Sequence, residues 1–600
     1  MPPQTGPLPL TKTAAAPPHL AAALALLAAV LAVYLPALAN GFVWDDTALV
    51  LRDPLIRSWW SIGESFRHFL FLDATGSAFY RPLQRLTFIW DYAWFGFEPA
   101  GWHGTSLVAH AAAVFAVHAF AREFLGRFGV PPAAAFATAL VWAVHPVHTS
   151  AVVYVSGRAD PLAALFGFLA LRLGIGTGPA LLRLGATGGA LLAAALSKES
   201  GILFGPLWIL LLYGLPGPKK HRAAEVVTVA LVWLVYAFLR TQALSTPVPP
   251  FDPPGVGPRI GLGLQAVAEY VGLLALPLRL TMERDLRLAE WGWFRGVTGA
   301  LLIGIGILGG LRLSKQGATA RCARLALLLA GIAYLPVSGL IPLNATCAEH
   351  WLYVPSAFLA LAGGAVWHGS TRAWGHSAHR LVLSLLTVWL LFLCGRTWLR
   401  NADWRDQATF VLQTIGTADS TARMRMNLAS MEFRQGRRTF AIALQRSVID
   451  QHPHLVAGRL SLAAMLLAAG RTAEAGVELS HVGDVAWLRA GQLELRASLA
   501  AAQGDPARAE EFLRDGLVQA PRSWALQRQL TRLLVATGRP AMAATELAEW
   551  MQNQGGSFRA ESWVLLAESA AAVGDRELAE HAMREAHVRD VRLGEPPPGP

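Results

Sequence analysis

The chain has 600 residues, 54% hydrophobic and only 15% charged, with 56 Gly, 36 Pro and 21 Trp. A charged fraction this far below the ~25% usual for soluble proteins excludes a single soluble domain and, away from the ends, disorder. The net charge of +11 sits in short loops between apolar runs and on helices near the C-terminus, with no basic run interleaved with aromatics, which excludes nucleic-acid binding.

Residues 1–18 read as a disordered, Pro-rich leader. The run 19–39 follows; at about 20 apolar residues it reads as an uncleaved anchor rather than a signal peptide. Further apolar runs lie at 105–121, 131–148, 161–175, 179–196, 201–215, 223–240, 261–281, 296–312, 325–343, 351–368 and 381–398. Basic loops at 122–127, 172–183, 218–222, 312–324 and 372–380 belong on the cytoplasmic side, which puts residues 40–104 and the C-terminal third outside. Parity fails at 261–281, and its Glu269, Pro277 and Arg279 fit a re-entrant or interfacial segment. The expectation is about 11 crossings, within a polytopic membrane domain at 19–400 that carries an external loop at 40–104, followed by a linker at 401–421.

Beyond the linker the periodicity changes. Gly436, Gly470, Gly504 and Gly538 recur every 34 residues, each with Ala five positions later, and Gly574 with Ala579 continues the series. That period predicts about five tetratricopeptide-type (TPR) helical hairpins over 422–593, ahead of a disordered tail at 594–600. The fold class is therefore all-α: a transmembrane helical domain followed by an α-solenoid. Such a solenoid binds extended peptides or partner proteins, or serves as a passive stalk. Cys322, Cys347 and Cys394 are too few and too widely spaced for a disulfide framework or a metal cluster.

The candidate chemistry clusters in the segments expected outside. Asp45 and Asp46 directly follow the first span in Phe42-Val43-Trp44-Asp45-Asp46. Adjacent carboxylates beside a membrane are either a capped, solvated turn or a general base that removes a proton from an attacking hydroxyl. Tyr80 and Arg81 follow, the guanidinium being suited to a phosphate. His103 and His110, seven apart, share one helix face. Next come His145 and His148, Arg158 and Asp160, Lys198 and Glu199, and the group Glu349, His350 and Tyr353. Any one is compatible with an interfacial belt, but ionisable groups of both signs repeated on one face suggest a shared cavity. The His pair lacks a metal-site pattern, so no metal ligand is assigned, and no phosphate-cradling GxxxxGKT loop is present, which argues against a nucleotide-driven pump.

In this order, the motifs Trp44-Asp45-Asp46, Tyr80-Arg81-Pro82, Gly101 to His103 with His110, His145-Pro146-Val147-His148, Gly157-Arg158-Ala159-Asp160, Ser197-Lys198-Glu199 and Glu349 to Ser356 resemble those of the transmembrane and tetratricopeptide-repeat O-mannosyltransferases. These belong to the GT-C class of polytopic glycosyltransferases, and the resemblance covers about residues 35–595. It implies transfer of a hexose such as mannose from a polyprenyl-phosphate carrier to a hydroxyl acceptor, protein Ser or Thr, on the non-cytoplasmic side. Asp45 and Asp46 match the class's catalytic acidic pair. Arg81, Arg158, Lys198 and His350 would hold the donor phosphate. Tyr80, His103, His110, His145, His148, Asp160, Glu199, Glu349 and Tyr353 would support the substrates. A divalent cation, Mg or Mn, is a candidate cofactor. Departures stand at Ser106, Ser150 and His350, where the family pattern leads one to expect Asn, Glu and Arg.

Two other readings compete. One is a non-enzymatic membrane scaffold whose repeats gather partners for envelope or pilus assembly, and the other is a transporter, which would need a pseudo-symmetric repeat among its spans that is not seen. The excess of Arg over Lys points to a bacterial inner membrane with the repeats in the periplasm; in an ER membrane the sequon at Asn344 would be modifiable.

Overall fold

The computed structural model describes residues 18–72, 77–216, 222–244, 255–284, 286, 292–313, 317–341, 343, 345–371, 376–415, 422–453, 455–483, 485, 488–553, 557 and 559–594. The expected leader (but for Pro18), most of the basic loop 218–222, Asn344 of the sequon, linker residues 416–421 and tail residues 595–600 lie outside the described residues.

The chain is a multi-pass helical membrane protein. Among the described residues, seven helices are long and apolar enough to cross a bilayer: His19–Ala39, Pro99–Gly126, Ala180–Ser197, Ala223–Ala243, Gly292–Arg312, Gly317–Val337 and Ser377–Trp404. An eighth is counted if Pro146–Val152 and Val155–Gly174, bent by 100°, form one broken span. This is fewer than the run count suggests, because several apolar runs fold in pieces. The run 131–148 becomes Pro132–Val144, 13 residues long. At ~1.5 Å per residue that reaches only ~20 Å, and Pro146 starts a separate 3-10 turn. The run 201–215 forms part of another short apolar helix, Glu199–Gly214.

The segment 261–281 is helical over most of its length. Val256–Ala275 is one continuous 20-residue helix with no re-entrant turn inside it. It lies against Gly292–Leu313 so closely that a Cβ on Gly299 would sit 1.8 Å from the Leu264 carbonyl oxygen.

Pro99–Gly126 is the central helix. Trp102, Ala113, Val114, Val117, Phe120, Ala121 and Phe124 are fully buried along it, and Phe120 packs on Phe168 and Phe358 from two other helices. The only strands among the described residues are Glu283–Arg284 and Cys347–Ala348, antiparallel with Glu283 opposite Ala348.

Five helical hairpins follow: Ala422–Arg434 with Arg438–Gln451, Val456–Ala468 with Thr472–Ser480, Arg489–Ala502 with Pro506–Gln519, Trp524–Ala536 with Pro540–Asn553, and Ala560–Val573 with Arg576–Arg589. Gly436, Gly470, Gly504, Gly538 and Gly574 take φ of 86°, 76°, 81°, 77° and 83° in the intra-hairpin turns, which explains the 34-residue recurrence.

The solenoid is seated on the loop 40–104 at both ends. At its start, Arg423 pairs with Glu283 and covers the Trp44 ring. At its end, the Tyr92 hydroxyl donates to Asp590 at 2.8 Å and the Arg589 guanidinium lies 4.6 Å from the Trp60 ring. The expected linker is likewise structured: Asn401–Trp404 and Gln407–Ile415 are helical, and Asn401, Trp404, Phe410 and Val411 are buried. Its apolar side chains join the core of the membrane domain, so it cannot act as a free tether.

Candidate functional site

The acidic pair sits in a tight turn just past the first span. Trp44, with φ of 54°, is the only non-glycine residue with positive φ among the described residues. That sterically costly conformation turns the chain so that the two carboxylates part. Asp46 faces inward, fully buried, and accepts from the Val43 amide at 3.1 Å, the Ser156 amide at 2.8 Å and the Ser156 hydroxyl at 2.5 Å. Burial pushes its pKa up to about 7, against the pull of those donors. Asp45 stays partly exposed. Its amide donates to the Tyr154 hydroxyl at 3.0 Å, and that hydroxyl also bonds its carboxylate. Burial raises the Asp45 pKa, while Arg423, Tyr154 and Arg81 oppose the rise. The two acids thus divide the work: Asp46 fixes the turn, and Asp45 offers its carboxylate.

Facing Asp45 is a group of cations, each held by a carboxylate. Arg81 pairs with Glu199 at 2.9 Å, and the Tyr80 amide donates to the other oxygen of Glu199 at 2.8 Å. Lys198 reaches Asp160 at 2.6 Å. Burial lowers the Lys198 pKa, Asp160 raises it, and the Arg81 charge lowers it further. The break before Lys198 is sharp: a Cβ on Gly201 would lie 2.1 Å from the Ala194 carbonyl oxygen, so only glycine lets this turn fold back on its helix. His350 feels Lys198, Arg81 and Arg423, and burial together with these charges holds its pKa well below the usual value. A neutral imidazole therefore stands beside three cations. Such a cluster can accept an anionic phosphoryl group without a new buried charge, the resident carboxylates being exchanged for phosphate oxygens.

The other expected site residues have partners of their own. Arg158 is fully buried and committed to Asp91 at 2.6 Å, with further bonds to Ser106, Thr87 and the Trp102 carbonyl. It forms a buried ion pair in the core of the external loop. His110 joins the Tyr353 hydroxyl at 2.6 Å and the Ala143 carbonyl at 3.0 Å. His148 and Tyr353 pack edge to face at 4.8 Å. These three form one buried cluster. His103 contacts the Gly41 carbonyl at 3.4 Å, below the acidic turn. His145 accepts from the Val147 amide and approaches the Leu274 carbonyl at 3.1 Å. The Tyr80 hydroxyl donates to the Phe66 carbonyl, so only its backbone serves the cation group. Glu349, buried, faces Arg400 at 3.4 Å, and burial raises its pKa.

Sequence reasoning missed Tyr154, Glu283, Gln407 and Arg423. None sits in a local pattern; Gln407 and Arg423 lie in the expected linker and the first repeat. Among the described residues no group of three or more His, Cys, Asp or Glu side chains is arranged to hold a metal ion.

No family model matches the chain. It is similar to protein O-mannosyl-transferase F38B6.6 of Caenorhabditis elegans, 24% identical over 427 residues, covering 66% of this chain and 58% of the relative. It is also similar to TMTC3 of Mus musculus, 24% identical over 459 residues and covering 67% of this chain and 48% of that protein. TMTC4 of Homo sapiens is 35% identical over 142 residues, covering 21% and 19%. The chain thus spans between a fifth and three fifths of the lengths of these relatives. Among solved structures, ArnT from Cupriavidus metallidurans, bound to undecaprenyl phosphate, aligns over 83% of this chain and 79% of its own with 13% identity and a TM-score of 0.37. MamA aligns over 28% of this chain and 92% of its own, with 14% identity and a TM-score of 0.23.

Proposed function

We propose that this chain, a relative in sequence of the protein O-mannosyl-transferases, is an integral-membrane glycosyltransferase. In this reading it moves a hexose such as mannose from a polyprenyl-phosphate carrier to a protein Ser or Thr hydroxyl on the non-cytoplasmic side. One observation carries the reading: the charge of Arg81 acts on a partly exposed Asp45, on Lys198 and on His350, groups drawn from four separate segments of the chain. A base opposite a phosphate cradle is what displacement at a sugar carbon requires.

The acceptor oxygen attacks the anomeric carbon as its proton passes to Asp45. The bond from that carbon to the carrier phosphate breaks, and the electron pair leaves with the phosphate. Arg81 and Lys198 stabilise the charge that develops there, so no general acid is needed. A single in-line displacement inverts the anomeric centre. The carrier's lipid tail keeps the reaction at the membrane edge. The solenoid, seated on the external loop at both ends, holds the protein acceptor over it. A bacterial inner membrane with the solenoid in the periplasm is the setting this reading favours.

The test uses the full-length protein in nanodiscs with undecaprenyl-phosphate mannose and a Ser/Thr-rich peptide. Mass spectrometry should find one added hexose with wild type and none with Asp45→Asn. No transfer by wild type from any polyprenyl-phosphate hexose would favour the scaffold reading.

A further inference from the structure

The acidic turn is held by the end of the last span and the segment that follows it. Asn40 donates to the Asn401 carbonyl at 3.0 Å, the Gly41 amide to the Arg405 carbonyl at 2.8 Å, and the Trp44 amide to Gln407 Oε1 at 2.6 Å. The Trp44 ring lies 5.8 Å from that of Phe410, and the Arg423 guanidinium covers its other surroundings at 5.4 Å. Asn401, Arg405, Gln407, Phe410 and Arg423 therefore grip the turn that aims Asp45 toward the cations. A positive-φ tryptophan persists only where its surroundings over-determine it.

Arg423 is the hub of this grip. It is the second residue of the first solenoid helix, and it bonds both carboxylate oxygens of Glu283 at 2.5 Å. Glu283 is paired in register with Ala348, the residue before Glu349 and His350. One guanidinium thus joins the acidic turn, the strand pair that carries His350, and the solenoid. The charged and titratable groups acting on Asp45 are Arg423, Tyr154, Glu283, Arg81 and the neighbouring Asp46.

We propose that Arg423 is a positioning residue for the transfer reaction: it locks Trp44, and through it Asp45, in reacting geometry, so that seating of the solenoid and readiness of the base are one equilibrium. The inference rests on the transferase reading for its kinetic consequence, though not for its structural one. A solenoid that shifts when it meets its acceptor would pass that event to Asp45 through a single side chain, with no movement in the membrane required.

The experiment compares wild type, Arg423→Gln and Arg423→Lys as full-length proteins in nanodiscs. Hydrogen exchange over residues 41–52 is measured alongside kcat and KM for transfer from undecaprenyl-phosphate mannose to a Ser/Thr-rich peptide. The expected result for Arg423→Gln is faster exchange in that segment and a fall in kcat of roughly 10- to 100-fold, the scale of a misplaced reacting group. Donor KM should barely change, and Arg423→Lys should restore part of both effects. Unchanged exchange at 41–52, or an unchanged kcat in an active enzyme, overturns the proposal. If wild type itself transfers nothing, the transferase reading fails on its own, and the exchange data alone decide the clamp.

Discussion

Asp46 accepts both the amide and the hydroxyl hydrogen of Ser156, a residue 110 positions further along the chain. The pair ties the turn after the first span to the break in the bent helix pair, where Tyr154 also sits. Three donors point at the Asp46 carboxylate and bind its charged form more tightly. Burial pushes that group up to about 7, so the charged form prevails only above that pH. Transfer activity should therefore rise with pH through about 7 and level off beyond it. The sign for stability is the reverse. A carboxylate whose folded pKa is raised favours the protonated folded state, so its contribution is best below the unfolded value of 3.8 and declines as pH climbs to about 7. A pH–rate profile of kcat/KM checks the first statement, and an activity that is flat from acid to alkaline pH would contradict it.

Asp45→Asn tests the division of labour between the two acids. The amide keeps the shape and removes the base; the backbone bond to Tyr154 is retained, and the side-chain oxygen can still accept from the Tyr154 hydroxyl. Transfer should fall by about 10²–10⁴-fold, the usual worth of a positioned base, while yield, detergent stability and donor binding stay near wild type. A variant that unfolds instead would mean that Asp45 is structural, as in the capped-turn reading.

Arg81 should reveal itself in the donor's KM. Its guanidinium is balanced by Glu199 and lies near the surface of the site, with 14% of the side chain exposed. Arg81→Ala should raise KM for undecaprenyl-phosphate mannose by roughly 10- to 100-fold, the scale of one lost charged hydrogen bond. Arg81→Lys should recover only part, because an ammonium lacks the forked geometry. A fall in kcat with KM unchanged would move Arg81 from donor binding to another role.

What the sequence revealed depended on whether the determining contact is local. The glycines of the solenoid were legible because each performs the same backbone task at a fixed interval, φ near +80° in a hairpin turn. Asp45 and Asp46 were legible because adjacent acids beside an apolar run are costly anywhere. The pairing of Lys198 with Asp160 joins two motifs that were each visible, but nothing in either announced the other. Arg423 and Glu283 were not legible at all: they lie 140 positions apart, and each alone is an ordinary surface charge. The long helices are fewer than the apolar runs for a related reason. Hydropathy sums apolarity over a window, whereas Pro146 and the extended Lys198 decide where a helix stops.

Arg158 yields the cleanest contrast with Arg81. Its motif position suggested a phosphate ligand, yet both Arg158 and Asp91 are fully buried and paired at 2.6 Å, with Phe88 against the guanidinium at 5.0 Å. Removing one partner leaves an uncompensated buried charge, which costs about 3–5 kcal/mol. Arg158→Ala should therefore lower folded yield and thermal stability rather than donor affinity. Replacing both partners by apolar residues of similar volume, Arg158→Met with Asp91→Leu, removes both charges and should restore much of the lost stability. The recovered double variant should then bind donor with near wild-type KM. If Arg158 were a phosphate ligand, the double variant would fold yet show a donor KM raised as far as that of Arg81→Ala. Thermal unfolding of the three proteins, with donor KM measured on those that fold, separates the two outcomes.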